Sequence, residues 1–352
     1  EIQQHFLSTI SHEIRTPLNA ILGYLELMNA DDRLPVRYKE MVKVALKNSD
    51  VLLRLISDIL DASMLRAGQM DINDEEFDFF KQVSDVLKLF KSYVNEDVDL
   101  KWELDYCPFT VRGDHERIKQ ILSNLLSNAF KFTERGLVYL TMRFQPNEKA
   151  RQAEIYFSIT DTGTGIPQDK QKEIFQPFRQ VRTSAKGTGL GLYIAREFAR
   201  KMNGDIWFRS RPGEGTTFYV KLSLPLGKKI IYQELKGCKV AILSGNNPCL
   251  NALKIFLQSN GAEVHLFDNL ERLKSFLLNQ SKTSDNLIYL FIFYSFLAEK
   301  IDFDILEAKL DINRDTHLSL YKILVYDLWR KRLGNGSFFD DIVTVPFDFA
   351  QI

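Results

Sequence analysis

The segment Ser11-His12-Glu13-Ile14-Arg15-Thr16-Pro17-Leu18-Asn19 places a histidine beside a carboxylate, in a run whose apolar residues recur every three or four positions. That spacing predicts an amphipathic helix over residues 6–28. On a helix, His12 and Thr16 share one face, about 6 Å apart along the axis. The carboxylate of Glu13 suits removal of the imidazole proton, which makes the ring a nucleophile. The pattern therefore indicates a histidine placed for chemical modification.

A second helical pattern, residues 36–65, follows a short polar break. Two long helices joined by a short loop predict an antiparallel hairpin over residues 1–67. A single hairpin cannot bury both of its apolar faces, so we expect a homodimer that forms a four-helix bundle. A monomeric hairpin packed on the next domain is the alternative. Gly68 stands where glycine commonly ends a helix.

The composition limits the classes of function. The 352 residues are enough for two or three domains. Lysine plus arginine and aspartate plus glutamate both number 46, and the net charge of zero argues against nucleic acid as a partner. The cysteines show no C-x-x-C spacing, which argues against a zinc site. The longest apolar run, residues 287–298, is shorter than the roughly 20 residues that cross a bilayer, so we expect no membrane span.

Residues 76–228 are predicted to form an α+β unit, because strands rich in β-branched and aromatic residues are grouped with helices. The predicted strands are 138–144, 154–160, 204–209 and 216–222, and the predicted helices are 117–132 and 190–202. On the first of these helices, Asn124, Asn128 and Lys131 share one face. Amide oxygens suit Mg²⁺ and an ammonium neutralises phosphate, so this face is a candidate triphosphate site. A solvated polar stripe is the alternative.

Two segments that contain glycines mark a candidate ligand site. Asp161-Thr162-Gly163-Thr164-Gly165-Ile166 follows a predicted strand. Its glycines let the backbone approach a flat ligand, while Asp161 can accept a hydrogen bond from an exocyclic amine. Gly187-Thr188-Gly189-Leu190-Gly191 opens a predicted helix, where free N–H groups favour phosphate. No strand leads directly into this second segment, which excludes a dinucleotide-binding fingerprint.

The order and spacing of these segments resemble those of a known family. Residues 124–133, 161–166, 174–178 and 187–192 are similar to the N, G1, F and G2 boxes of the GHKL (Bergerat) nucleotide-binding fold. Residues 11–19 resemble the phosphoacceptor box of sensor histidine kinases. The resemblance implies a dimeric helical hairpin followed by an α+β ATP-binding sandwich, the core of a two-component kinase.

The resemblance also implies roles for individual residues. ATP would phosphorylate His12, with Glu13 as the base. Thr16 would help to position water when the kinase runs in reverse as a phosphatase of its partner. Asn124 and Asn128 would bind Mg²⁺. The residues implied in ATP binding are Asn124, Asn128, Lys131, Asp161, Gly163, Gly165, Ile166, Phe178, Gly187, Thr188, Gly189, Leu190 and Gly191.

The implied partner is the aspartate of a receiver domain, on a separate response regulator or on the same longer protein. The chain begins without Met inside a predicted helix, so we expect a piece of a longer protein, the cytoplasmic part of a membrane-anchored sensor.

The lid between Phe178 and Gly187 is short, and Lys186 replaces a second glycine, which favours loose nucleotide binding. A GHKL ATPase and a phosphatase-dominant or scaffold protein are the alternatives, although such ATPases lack the hairpin.

Residues 237–352 are predicted to form a third domain, a doubly wound, flavodoxin-like α/β sheet. The predicted strands are 239–243, 263–267, 287–293, 322–325 and 342–345, and the predicted helices are 250–259 and 270–278. The unit resembles a receiver domain, but residues 239–251 contain no acid and Tyr294 follows the third strand where receivers carry an aspartate. Val345, and not lysine, precedes Pro346. We therefore expect a pseudo-receiver that is not phosphorylated and acts as an interaction module; a plain packing domain is the alternative.

Overall fold

The computed structural model describes residues 2–31, 33–179, 188–230, 235–244, 250–280, 287–293, 319–327 and 341–345. The described residues form three parts, in chain order. A helical hairpin comes first, a mixed sheet covered by helices follows, and a parallel sheet comes last. The chain is therefore multidomain in architecture, with the helical and α+β parts arranged as the sequence pattern predicts.

The hairpin consists of α1 (Ile2–Ala30) and α2 (Val36–Arg66), which pack against each other. Apolar residues at helical spacing form both helices, as the sequence predicts. α1 continues through Pro17, although proline removes one helical hydrogen bond. Within the described part of the chain, no helix is both long enough and apolar enough to cross a membrane.

The chain leaves α2 through a tight glycine turn. Gly68 has φ of 71°, and the amides of Gly68 and the next residue donate to the carbonyls of Leu65 and Met64 at 3.1 and 3.0 Å. This is a Schellman motif, which needs the left-handed conformation that glycine adopts without strain. Further along, the amide of Asn73 donates to Oδ2 of Asp114 at 3.1 Å. The connector is therefore fastened to the mixed-sheet domain before the first strand begins.

The mixed sheet contains seven strands, which three α-helices accompany. The strands are β1 (Glu75–Asp78), β2 (Val98–Leu104), β3 (Phe109–Gly113), β4 (Gly136–Asn147), β5 (Gln152–Asp161), β6 (Asp205–Arg211) and β7 (Gly215–Lys229). The helices are α3 (Phe79–Leu89), which continues into a short 3-10 turn, α4 (His115–Phe132) and α5 (Gly191–Lys201). The strands pair in the order β1-β3-β7-β5-β4-β2, and β6 pairs with β7.

One face of this sheet is covered by the helices. Burial alternates along β5 and β7, the pattern of strands with one buried face. Phe79 of α3, Leu125 of α4 and Phe198 of α5 are fully buried. Asp78 and Asp114 cap the starts of α3 and α4 by accepting backbone amides at 2.9 and 3.0 Å. The result is a two-layer α+β sandwich that places α4 and α5 beside the end of β5.

The last part is a parallel sheet. Its strands are β8 (Lys239–Leu243), β9 (Glu263–Phe267), β10 (Leu287–Phe293), β11 (Ser319–Asp327) and β12 (Asp341–Val345). Two helices, α6 (Leu250–Ser259) and α7 (Leu270–Gln280), lie between the first three strands. All described pairings are parallel, in the order β9-β8-β10-β11-β12. This strand order, with β8 between β9 and β10, is that of flavodoxin-like sheets.

An aromatic contact joins the parallel sheet to the mixed-sheet domain. Tyr106, between β2 and β3, meets Phe256 of α6 edge-on, with ring centroids 5.5 Å apart. Both side chains are buried, at 3% and 2% exposure. The amide of Ile230 donates to the carbonyl of Pro108 at 2.8 Å. The two domains therefore share a continuous apolar core.

Candidate functional site

A cavity of about 280 Å³ lies between α4, the loop after β5 and the start of α5. We call it the α4–α5 cavity. From α4 it is lined by Asn124, Asn128 and Lys131, and from the loop after β5 by Asp161, Gly165 and Ile166. Thr188, Gly189 and Gly191 line it at the start of α5. Residues more than 60 positions apart in sequence thus meet at one site that the sequence pattern predicts.

Asn124 links α4 to the start of α5. Its Nδ2 donates to the carbonyl of Gly191 at 3.1 Å. A Cβ at Gly191 would lie 3.4 Å from Cγ of Asn124, so glycine permits this close approach. Because the bond uses the amide nitrogen of Asn124, the amide oxygen remains an acceptor that can face a cation. Lys131 lies two turns further along the same helix, where burial lowers the pKa of its ammonium below the usual value.

Asp161 is the last residue of β5 and is only 5% exposed. Its Oδ1 accepts the amides of Gly163 at 2.9 Å and Thr216 at 3.3 Å. Burial raises the pKa of the carboxyl group, although the two amide bonds act in the opposite direction. Both bonds use one oxygen, so Oδ2 is oriented by the same contacts and can serve as an acceptor for a ligand N–H.

Two glycines of the loop after β5 cannot carry a side chain. A Cβ at Gly163 would lie 2.2 Å from the carbonyl oxygen of Phe132. At Gly165, where φ is +65°, it would lie 2.1 Å from the carbonyl oxygen of Arg211. The loop therefore packs backbone against backbone beside the cavity; the predicted approach of its glycines to a flat ligand stays a prediction.

Three of the remaining predicted residues, Gly163, Phe178 and Leu190, do not line the cavity. Gly163 packs behind the loop, and Leu190 is fully buried in the core. Phe178 has a positive φ of 64° and is 58% exposed; its amide donates to the carbonyl of Gly189 at 3.0 Å. Gly187 lies outside the described residues. Leu190 and Phe178 therefore shape the segment around the cavity without lining it.

His12, Glu13 and Thr16 all lie on α1. The side chains of His12 and Glu13 are outside the described part of the structure. Thr16 is exposed to solvent. The hairpin nevertheless reaches the cavity through its second helix.

The sequence patterns did not indicate two acids of α2 that face the mixed-sheet domain. Asp58 lines the α4–α5 cavity, and its Oδ2 accepts the hydroxyl of Thr188 at 3.2 Å. Burial raises the pKa of Asp58 to about 6. Asp61, one turn later and 6% exposed, contacts Arg117 and Gln120 of α4 at 3.1 and 2.9 Å. The only sequence signal for this pair was that Asp58 and Asp61 are three residues apart and so share a helix face. Such a pair of acids usually lies on a solvated face.

Two family descriptions match separate parts of the chain. Residues 2–68 match the "His Kinase A (phospho-acceptor) domain". Residues 113–226 match the "Histidine kinase-, DNA gyrase B-, and HSP90-like ATPase". The first match covers the hairpin, and the second covers α4, α5 and the α4–α5 cavity with the exception of Asp58.

Sensor proteins and histidine kinases align with 64–77% of the chain. Sensor protein GacS of Pseudomonas syringae pv. syringae is 33% identical over 282 residues, 77% of this chain and 31% of that protein. Signal transduction histidine-protein kinase BarA of Escherichia coli K12 is 33% identical over 275 residues, 75% of this chain and 30% of that protein. The virulence sensor protein BvgS of Bordetella bronchiseptica is 40% identical over 233 residues, 64% of this chain and 18% of that protein. The chain thus spans less than a third of the length of these relatives.

One solved structure shares the fold over most of the chain. Full-length ShkA in complex with AMPPNP aligns with a TM-score of 0.62, covering 99% of this chain and 70% of that one. Its sequence identity of 24% supports the fold alone. The two family matches, in this order along the chain, and the sensor-kinase relatives show that the chain belongs to the sensor histidine kinases.

Proposed function

We propose that this chain is the core of a two-component protein-histidine kinase, which binds ATP in the α4–α5 cavity and transfers its γ-phosphoryl group to His12. The observation that carries the proposal is the convergence of the N-box, G1 and G2 residues on one cavity that also touches the hairpin. A GHKL domain without a hairpin would have no histidine acceptor.

The cavity residues suggest how ATP would lie. Asp161 would accept the exocyclic amine of adenine through the oxygen that its backbone contacts leave available. Gly165 and Ile166 would contact the flat base. At the other end, Thr188 and the first turn of α5 present a hydroxyl and backbone amides, which suit phosphate oxygens.

The residues present fit a magnesium ion at the phosphate end. Asn124 and Asn128 both line the cavity, and the bond from Asn124 to Gly191 leaves its amide oxygen for a hard cation. Bound there, Mg²⁺ would neutralise charge on the phosphates. Lys131, on the same wall, would attract the triphosphate by its own charge.

The transfer itself is a displacement at the γ-phosphorus. A ring nitrogen of His12 would form the new N–P bond while the bond from phosphorus to the β–γ bridging oxygen breaks and ADP leaves. Glu13 would take the imidazole proton. Thr16, four residues after the histidine on an exposed helix face, would position water in the reverse, phosphatase direction. An aspartate on a receiver domain, outside residues 1–352, would take the phosphoryl group from His12.

The hairpin is proposed to dimerise. Large apolar side chains are exposed on both of its helices, including Tyr24 and Leu27 on α1 and Val36, Met41 and Val44 on α2. Exposed apolar surface of this extent on one element indicates a protein interface. A second copy would bury it in a four-helix bundle.

The parallel sheet is proposed to be a pseudo-receiver. Its strand order is that of flavodoxin-like folds, which supports the receiver-like architecture. The absence of acids from residues 239–251, together with Tyr294 after β10, supports loss of the metal and acceptor groups. Its role would be interaction, starting with the contact between Phe256 and Tyr106. That the chain is the cytoplasmic part of a membrane-anchored sensor stays a prediction.

Labelled ATP tests the proposed kinase function. Wild-type protein should acquire acid-labile label from γ-labelled ATP, and His12→Gln should acquire none. His5→Gln is the matched control, because it removes a histidine from the same helix and should keep the label. Release of free phosphate without protein label would instead indicate an ATPase, and neither product would indicate a scaffold.

A further inference from the structure

A carboxylate of the hairpin enters the α4–α5 cavity. Asp58 belongs to α2, yet it lines the same cavity as Asn124 and Lys131. Its Oδ2 accepts the hydroxyl of Thr188, which lies three residues before the start of α5, at 3.2 Å. Helix N-termini favour anions because their first amides lack helical partners. Asp58 therefore brings negative charge to the end of the cavity that suits phosphate.

A second acid on α2 fixes the helix in this place. Both oxygens of Asp61 lie 3.1 Å from Nη1 of Arg117, and Oδ2 also accepts Nε2 of Gln120 at 2.9 Å. The guanidinium of Arg117 lies over the ring of Phe198, 4.6 Å from its centroid. We call Asp61, Arg117 and Gln120 the acidic clamp. The carboxylate of Asp61 is buried, and its charged hydrogen bonds to α4 hold α2 in a defined position against α4 and α5.

The geometry constrains what the cavity can accept. A triphosphate that used Thr188 and the first turn of α5 would meet the Asp58 carboxylate at close range. Like charges in a partly desolvated site repel more strongly than in water. The hydroxyl of Thr188 donates one hydrogen bond, which either Asp58 or a phosphate oxygen can accept.

We propose that Asp58 is an internal competitor for the phosphate end of the nucleotide site, held there by the acidic clamp. Docking of α2 and binding of a triphosphate are then mutually antagonistic, and by linkage each weakens the other equally. The inference rests on the proposed nucleotide site. It makes Asp61 a positioning residue, which acts through Asp58.

Nucleotide binding to the full 352-residue chain and its Asp58→Asn variant tests this. Asparagine can still accept the hydroxyl of Thr188, so the variant removes charge and keeps shape. Calorimetric titration without metal should show ATP binding several-fold more tightly to the variant than to the wild type. The gain should be smaller for ADP and absent for adenosine, because repulsion scales with phosphate charge. Asp71→Asn, an exposed change of the same charge, should leave all three affinities unchanged.

Each other outcome decides against the proposal. Unchanged or weaker ATP binding by Asp58→Asn overturns it. If Asp58→Asn bound ATP more weakly than the wild type only when Mg²⁺ is present, Asp58 would instead be a ligand of the cation. An equal gain for adenosine would indicate a simple change of cavity shape. If wild-type and variant proteins bind no adenine nucleotide, the proposed function fails as well, whereas normal wild-type binding with an unchanged variant defeats the competitor alone.

The acidic clamp provides a second, independent variant. Asp61→Asn should release α2 and raise ATP affinity in the same charge-dependent order, although Asp58 is intact. Asp61→Glu restores the charge and should recover part of the wild-type affinity. If Asp61→Asn weakened ATP and adenosine to the same degree, the clamp would only be supporting the fold and the proposal would fail.

Discussion

The mixed-sheet domain and the parallel sheet differ in the side chains that follow their strands, where a ligand would bind. Asp161 ends β5 beside a cavity that contains amides, a lysine and a helix N-terminus. The corresponding edge of the parallel sheet has Ser244 after β8, and no acid up to residue 251. Architecture alone therefore does not make a site; the difference lies in a few side chains at strand ends. The predictions below test that contrast, from the largest effect to the smallest.

The largest expected effect concerns the contact that joins the two regions. Phe256→Ala should lower the free energy of unfolding by about 3–5 kcal/mol, because it removes a fully buried ring and leaves a cavity against Tyr106. Thermal unfolding of the whole chain measures it. Ile255→Ala, on the same helix but 40% exposed, is the control and should cost far less. Equal losses in both variants would show that the aromatic contact is not what couples the domains.

The carboxylate at the end of β5 should matter next. Asp161→Asn removes the charged acceptor proposed for adenine and should weaken ATP binding by roughly 10–100-fold, the size of a lost hydrogen bond to a charged group. Titration with ATP and with GTP, which lacks the exocyclic amine at that position, measures it. GTP affinity should stay low in both proteins. An Asp161→Asn variant with normal ATP affinity would place adenine elsewhere.

A smaller effect should appear with pH. Burial raises the pKa of Asp58 to about 6 from the ordinary 3.8, so the docked hairpin favours the protonated acid. That stabilisation is present below about pH 3.8 and is lost as pH rises through 6. The charged groups nearest to it on its own helix are Arg54 and Asp61. Those that share its cavity are Lys131, Asp161, Lys170, Glu173 and Arg179.

Melting temperatures from pH 5 to 7.5 test this pH dependence. Asp58→Asn resembles the protonated acid at every pH, so its melting temperature should exceed that of the wild type at pH 5 and should exceed it by more at pH 7.5. Asp71→Asn should track the wild type throughout. A constant difference between Asp58→Asn and wild type across the range would contradict the assignment.

The last prediction is that a treatment has no effect on the parallel sheet. The proposed pseudo-receiver should gain no phosphate from acetyl phosphate and Mg²⁺, because residues 239–251 contain no acid and Tyr294 follows β10. Intact-mass measurement of the whole chain checks it. A single added phosphate that survives in His12→Gln and disappears in Asp327→Asn, at the end of β11, would show that this edge is functional after all.

Much of the fold could be predicted because its signals are local. The five strands of the parallel sheet, β4, β5 and both helices of the hairpin follow from periodicity and β-branched content. β2 was missed although Val98, Leu100 and Trp102 alternate with polar residues. α3 was missed although its buried residues recur at helical spacing. Both are short segments whose burial depends on a sheet and helices formed by later parts of the chain.

The site residues also differ in whether their signals are local in sequence. Glycines and Asp161 could be predicted because their chemistry depends on the backbone beside them. The positions of Asp58 and Asp61 could not, because their partners are 56 or more residues away and a helix face with two acids normally faces solvent. The exclusion of Leu190 from the cavity wall likewise depends on how α5 packs.

The connector after α2 has a consequence for how far the domains can separate. Eight residues lie between Arg66 and Glu75, and fully extended they reach roughly 28 Å. A released nucleotide domain therefore stays at an effective concentration on the order of millimolar beside its own hairpin, whatever the concentration of protein in solution. Contacts as modest as the acidic clamp can then re-form readily after the domains separate, although the same surfaces on separate molecules would hardly associate.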